Sequence, residues 1–150
     1  IEDIMRKLIN LDLDNWKRYI LKDDPVRPHL DMDWRLEDGR QAYALEDEDG
    51  KMASVVCVAF TNGIAITEEG LENTTNPDTV MFYTVWSYSK NAGRDIIFAA
   101  AGAIKRDYPH IKRFVTLSPL TDAAERFHLR NGAAFLAKGD LCQNFEYTQI

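Results

Sequence analysis

The chain has 150 residues, 45% of them apolar, which suits one domain with a real core and a single cleft. Its net charge of −6 argues against general nucleic-acid binding, and its longest apolar runs fall short of the ~18 residues of a membrane span. The two cysteines, Cys57 and Cys142, are too sparse for a disulfide framework or a metal knuckle, so a reducing, cytoplasmic setting is expected.

In chain order, Ile1, Ile4, Met5, Leu8 and Leu11 recur at helical spacing, and Asp14 can cap a second short helix carrying Trp16, Tyr19 and Ile20 before Pro25. "RQAYALE", the acidic turn "DEDG" and "KMASVVCVAFT" predict a hairpin over 40–61. Thr67 can cap a short helix, "TEEGLE", whose glutamates suit a first turn. After the surface loop 73–78, "TVMFYTVWSYS" predicts a strand of β-branched and aromatic residues, and "IIFAAAGAIKRDYP" an alanine-rich helix stopped by Pro109. "KRFVTLSP" is a further strand. "TDAAERFHLRNG" is a helix with Thr121 or Asp122 as N-cap and Gly132 at its end, and "AAFLAKG" and "QNFEYTQ" are two short strands. Residues 1–80 thus supply helices and a hairpin, residues 81–150 alternate strand with helix, and the whole predicts a single α/β (α+β) domain, a mixed sheet flanked by helices.

Charge divides along the same line. Residues 1–80 hold 9 Lys and Arg against 18 Asp and Glu, and residues 81–150 hold 9 against 6. A basic C-terminal half in an acidic chain suits a compact polyanion such as a phosphorylated cofactor, or is merely an uneven solvated surface. The loop "SKNAGR" offers a place for the polyanion. A helix that starts right after a strand presents free N–H groups and the positive end of its dipole. Lys90, Asn91, Ala92, Gly93 and Arg94 would form this cradle, with Gly93 letting the backbone approach, although the loop has none of the G-K-[ST] of a P-loop.

The order strand, phosphate-type loop, long helix, strand, helix, strand resembles the acyl-CoA-binding half of the GNAT superfamily. Gly93 matches the last small residue of the GNAT loop, while Asn91 stands at its first glycine and Tyr88 where Gln or Arg is usual. The segments "FYTVWS" (82–87), "AIKRDYPHIKRFVTLSP" (103–119), "FHLRNGA" (127–133) and, more weakly, "NFEY" (144–147) and "VCVAFTNGI" (56–64) resemble the GNAT-like catalytic domain of malonyl-CoA decarboxylases. The likeness runs over roughly residues 25–148, and "TLSP" and "FHLRNGA" are its specific parts. The family's long insertion between those motifs is reduced here to "LTDAAER", its "IPGF" reads "LTDA", and no segment of these 150 residues resembles its separate N-terminal helical domain.

The resemblance implies a CoA thioester as substrate, no prosthetic group, and Ser118 and His128 as catalytic residues. Decarboxylating a malonyl thioester leaves an enolate, so a site must hold an oxyanion and protonate carbon. Ser118 at a strand end can donate its hydroxyl, and His128, with an ordinary pKa near ~6.5, can deliver or relay a proton. Each has a structural alternative: Ser118 before Pro119 is also an ordinary strand terminator, and His128 next to Phe127 suits a satisfied core histidine. Thr116, Asn131, His29 and Tyr83 are candidate supporting residues. Glu125 and His128 form a Glu-x-x-His pair without a second such pair, so no metal is expected.

Acyl transfer from CoA to an amine or a carrier thiol, or a non-catalytic CoA-binding module, remain alternatives. The expected partner is an acyl-CoA. An acyl carrier protein or a second copy of the chain stays open, and nucleic acid and membrane are not expected.

Overall fold

In the computed structural model, which describes residues 6–16, 22–72 and 74–150, the chain builds one eight-stranded sheet. The strands are β1 (Arg6–Leu11), β2 (Arg40–Asp47), β3 (Met52–Thr61), β4 (Thr79–Ser87), β5 (Arg113–Thr116), β6 (Ser118–Pro119), β7 (Ala134–Lys138) and β8 (Cys142–Glu146). The helices are α1 (Met32–Arg35), α2 (Ala92–Asp107) and α3 (Asp122–Arg130), with a 3-10 turn at Glu68–Glu72. The order across the sheet is β1-β2-β3-β4-β5-β8-β6, with β7 on the other side of β8. Described pairs are antiparallel except β4 with β5, which α2 connects. The fold class expected from the sequence is therefore observed.

The predicted hairpin is β2–β3, turned at Asp47–Gly50 with Gly50 at φ 82°, a conformation costly for a side chain. β3 is buried along almost its whole length: Val56, Val58 and Phe60 face one core and Val55, Cys57 and Ala59 the other. That is why its sequence reads as a continuous apolar run rather than an alternation. α2 buries Ile96, Ile97, Ala100, Ala101 and Ile104 on the first face. The second face is covered by Leu71 and by Met32 of α1. No helix among the described residues is long and apolar enough to cross a membrane.

The predicted N-terminal helix is corrected. Residues 1–5 lie outside the described residues, but Leu8 and Leu11 belong to β1, paired with Leu45 and Ala42 of β2. An unpaired β2 edge needs backbone partners, and satisfying it outweighs a helical period carried by a few residues. The second predicted helix falls largely in 17–21, outside the described residues. Asp14 itself sits in a turn, where its N–H and that of Asn15 donate to Asp12 Oδ1 at 2.9 Å each.

Two irregularities in β4 create space. Cys57 pairs with Thr84 and Val58 with Phe82, so Tyr83 is an extra residue, a β-bulge. The bulge shifts the facing of the side chains: Phe82 and then Val85 pack on the α2 face, Tyr83 and then Trp86 on the other. Parallel pairing with β5 stops at Phe82–Thr116, with a last bond from Leu117 N–H to Phe82 O at 2.9 Å. Beyond it β4 and residues 117–119 part, and Ser118 pairs instead with Gln143 of β8.

A buried charge cluster holds residues 24–27 against the parted edge. Arg27 donates to the bulge carbonyl of Tyr83, and Asp24 Oδ1 accepts from the N–H groups of Val26 (2.8 Å) and Arg27 (2.9 Å) and from Thr84 Oγ1 (2.8 Å). Arg35 Nη1 lies 2.9 Å from Asp24 Oδ2, both side chains fully buried, and Arg35 also donates to the carbonyls of Arg27 and Leu30. Arg35→Ala strands the Asp24 carboxylate in the core and should cost about 3–5 kcal/mol in chemical denaturation. A loss under about 1 kcal/mol would show that the cluster is not holding the segment.

Candidate active site

The gap between the parted strands is a cavity of about 400 Å³. Pro25 and Val26 wall one side, β4 residues 82–87 another, and Leu117, Ser118, Pro119 and the first two turns of α3 close it, with Gly93 of α2 at the end. Its wall is mostly apolar, and among the described residues none of the side chains that line it is an Asp, Glu, Lys or Arg.

Ser118 reaches it because β6 turns away from β4 to pair with β8. The hydroxyl is buried and lies 2.7 Å from Thr116 Oγ1, which itself accepts the N–H of Phe145 at 3.1 Å. Either hydroxyl can donate in this pair; with Thr116 giving its proton to Ser118 Oγ, the Ser118 O–H is left for the cavity.

His128 comes from α3, a helix started by Thr121, whose side chain accepts the Ala124 N–H at 3.2 Å. Its ring is 5% exposed, stacked on Phe145 at 5.5 Å, with Nδ1 2.8 Å from the Tyr147 hydroxyl. Burial lowers its pKa from 6.5 to about 4, so the ordinary value anticipated from sequence does not hold in the fold, and the imidazole is neutral at pH 7. Burial also raises the Tyr147 pKa, so this phenol keeps its proton.

The phosphate-type loop opens on the same end. Asn91 precedes α2 in the left-handed conformation at φ 65°, Ala92 and Gly93 are buried, and Lys90, Asn91 and Arg94 are exposed. A Cβ on Gly93 would stand 3.3 Å from the Phe127 ring, so glycine lets α3 lie close to the α2 N-terminus. Arg6 of β1 adds a cation here, 3.0 Å from Asp95 in the first turn of α2.

The other sequence candidates are dispersed. His29 is exposed and hydrogen-bonded to Glu68 at 2.9 Å, away from the cavity wall. The Tyr83 ring packs in the opposite core, edge-on to Trp34, although its backbone forms the bulge. Thr116 supports Ser118 from behind, and Asn131 caps α3, its N–H donating to the carbonyls of Phe127 and His128 at 3.2 Å each. Sequence reading missed Asp24, Arg27 and Arg35, charged residues that pair only through the fold. Tyr147 carried only the faint signal of "NFEY".

No protein-family model matches the sequence, and none of the curated proteins matches it. Solved structures do. Malonyl-CoA decarboxylase from Rhodopseudomonas palustris is 18% identical with a TM-score of 0.72, covering 95% of this chain and 56% of that one. The enzyme from Agrobacterium vitis is 21% identical with a TM-score of 0.64, covering 81% of this chain and 35% of that one. The GNAT domain of S. lividans PAT is 14% identical with a TM-score of 0.67, covering 95% of this chain and 89% of that one. The chain therefore has the GNAT fold, as expected from its sequence, and it spans little more than half, or less, of these decarboxylases.

Because the unfolded chain takes up a proton at His128 below about pH 6.5 and the folded chain only below about pH 4, stability present at neutral pH is lost as pH falls through that window. The loss amounts to about 3 kcal/mol. Urea titrations between pH 7 and pH 4 should show His128→Gln losing correspondingly less than the parent chain. Equal losses would contradict a buried neutral imidazole.

Proposed function

We propose that the chain binds an acyl-CoA in this cavity and decarboxylates malonyl-CoA or a substituted malonyl thioester to the corresponding acyl-CoA and CO2. The observation that carries the reading is that Ser118 of β6, His128 of α3 and the glycine of the α2 N-terminus, on three different elements, border one cavity. The diphosphate would rest on the N–H groups at Asn91–Arg94, with Lys90 and Arg94 adding charge. The thioester would enter between the parted strands.

In the reaction the bond to the carboxylate carbon breaks, its electron pair enters the thioester as an enolate, and CO2 leaves. Ser118 O–H donates to the enolate oxygen. The carbon then takes a proton by way of His128, which regains one from water as product departs. A thioester enolate carbon is basic enough to draw this proton from a neutral imidazole. An apolar wall favours the step further, since it solvates a localised carboxylate poorly and a spread enolate charge less poorly.

Incubation with malonyl-CoA should release CO2 and acetyl-CoA, and Ser118→Ala and His128→Ala should each lower kcat by about 100-fold. Turnover unchanged in both variants would remove their assigned roles.

One observation favours a second reading, acyl transfer: the chain spans 89% of the GNAT domain of S. lividans PAT. In that case an acyl-CoA would be consumed without CO2 release, and only when an amine or carrier thiol is supplied.

A further inference from the structure

We propose that Tyr147 is a positioning residue: its phenolic O–H, held against Nδ1 of His128, keeps the imidazole in the tautomer that carries its proton on Nε2, so that His128 offers the cavity a donor. The tautomer stands on the geometry alone. The use made of the donor rests on the decarboxylase reading above.

The pair is fixed from every side. Tyr147 follows β8, and its backbone N–H donates to Phe114 O at 2.9 Å, which sets where the ring enters the core. The ring meets Phe82 and Phe98 edge-on, at 6.5 and 5.8 Å between centroids, and is 3% exposed. The imidazole is stacked on Phe145 at an interplanar angle of 28° and meets Phe127 edge-on at 5.0 Å. Neither ring can turn without displacing aromatic neighbours.

A neutral imidazole has one N–H and one lone pair, and a phenol has one proton to give. Were Nδ1 the donor, the Tyr147 proton would be buried without an acceptor, because among the described residues its hydroxyl bonds only to His128. A buried donor left unpaired is costly enough to favour the other tautomer by about 5- to 160-fold. With Nδ1 occupied, Nε2–H is the polar group His128 has left for the cavity it borders. A donor suits an enolate oxygen or the protonation of carbon. It does not suit a base that must take a proton from an acceptor amine, which separates the two chemistries at one atom.

Nitrogen-15 NMR of the full chain, labelled at histidine and free of substrate, reads the tautomer directly. At pH 7 His128 should show a protonated, pyrrole-type Nε2 and a pyridine-type Nδ1. Tyr147→Phe should turn this into a mixture of tautomers, and should lower kcat on malonyl-CoA by about 10- to 100-fold while KM stays within about 2-fold.

A protonated Nδ1 in the parent chain would overturn the proposal, and so would an unchanged His128 spectrum in Tyr147→Phe. The parent spectrum decides the tautomer even if the variant does not fold. The expected spectrum without any malonyl-CoA turnover would sink the decarboxylase reading and leave the tautomer standing.

Discussion

Parallel pairing between β4 and β5 ends at Phe82 and Thr116. Past that point two neighbouring strands stop sharing hydrogen bonds, although each runs on in a buried part of the sheet. Backbone groups freed in this way must find partners, and the side chains on either side must border a space. On one side Ser118 turns to Gln143 of β8. On the other, the bulge at Tyr83 leaves a carbonyl that a guanidinium takes.

The cost is carried by groups that would look misplaced in isolation. Asp24, Arg27 and Arg35 are charged and buried, yet each is occupied: the carboxylate by two N–H groups, a threonine and Arg35, and the guanidiniums by carbonyls and carboxylates. Charges buried this way hold position more than they add stability, because desolvation offsets much of their attraction. What they hold is the segment bearing Pro25 and Val26, and so one wall of the cavity. The cavity wall is apolar because these charges are turned away from it, and burial beside it keeps His128 neutral.

Much of this was legible from local chemistry. The hairpin announced itself through "DEDG", α2 through its alanine-rich apolar period and Pro109, and α3 through the Thr121 cap and Gly132. The two catalytic candidates lay in "TLSP" and "FHLRNGA", and both border the cavity. What stayed hidden depended on distant partners. β1 reads as a helix until the β2 edge is seen beside it. The Arg35–Asp24 ion pair joins two residues that no local pattern brings together, and the acidity of His128 is set by aromatic rings 17 and 19 residues further on, Phe145 and Tyr147. Periodicity sees one element at a time, whereas burial is a property of the assembly.

The account centres on a thioester lying where the strands part. A crystal structure with a malonyl-CoA analogue that cannot lose CO2 tests this most directly. The account predicts the diphosphate on the amides of Asn91–Arg94 and the thioester oxygen about 2.7–3.1 Å from Ser118 Oγ, with His128 Nε2 facing the acyl group. A diphosphate bound elsewhere, or a thioester outside the gap between β4 and Ser118, would contradict it.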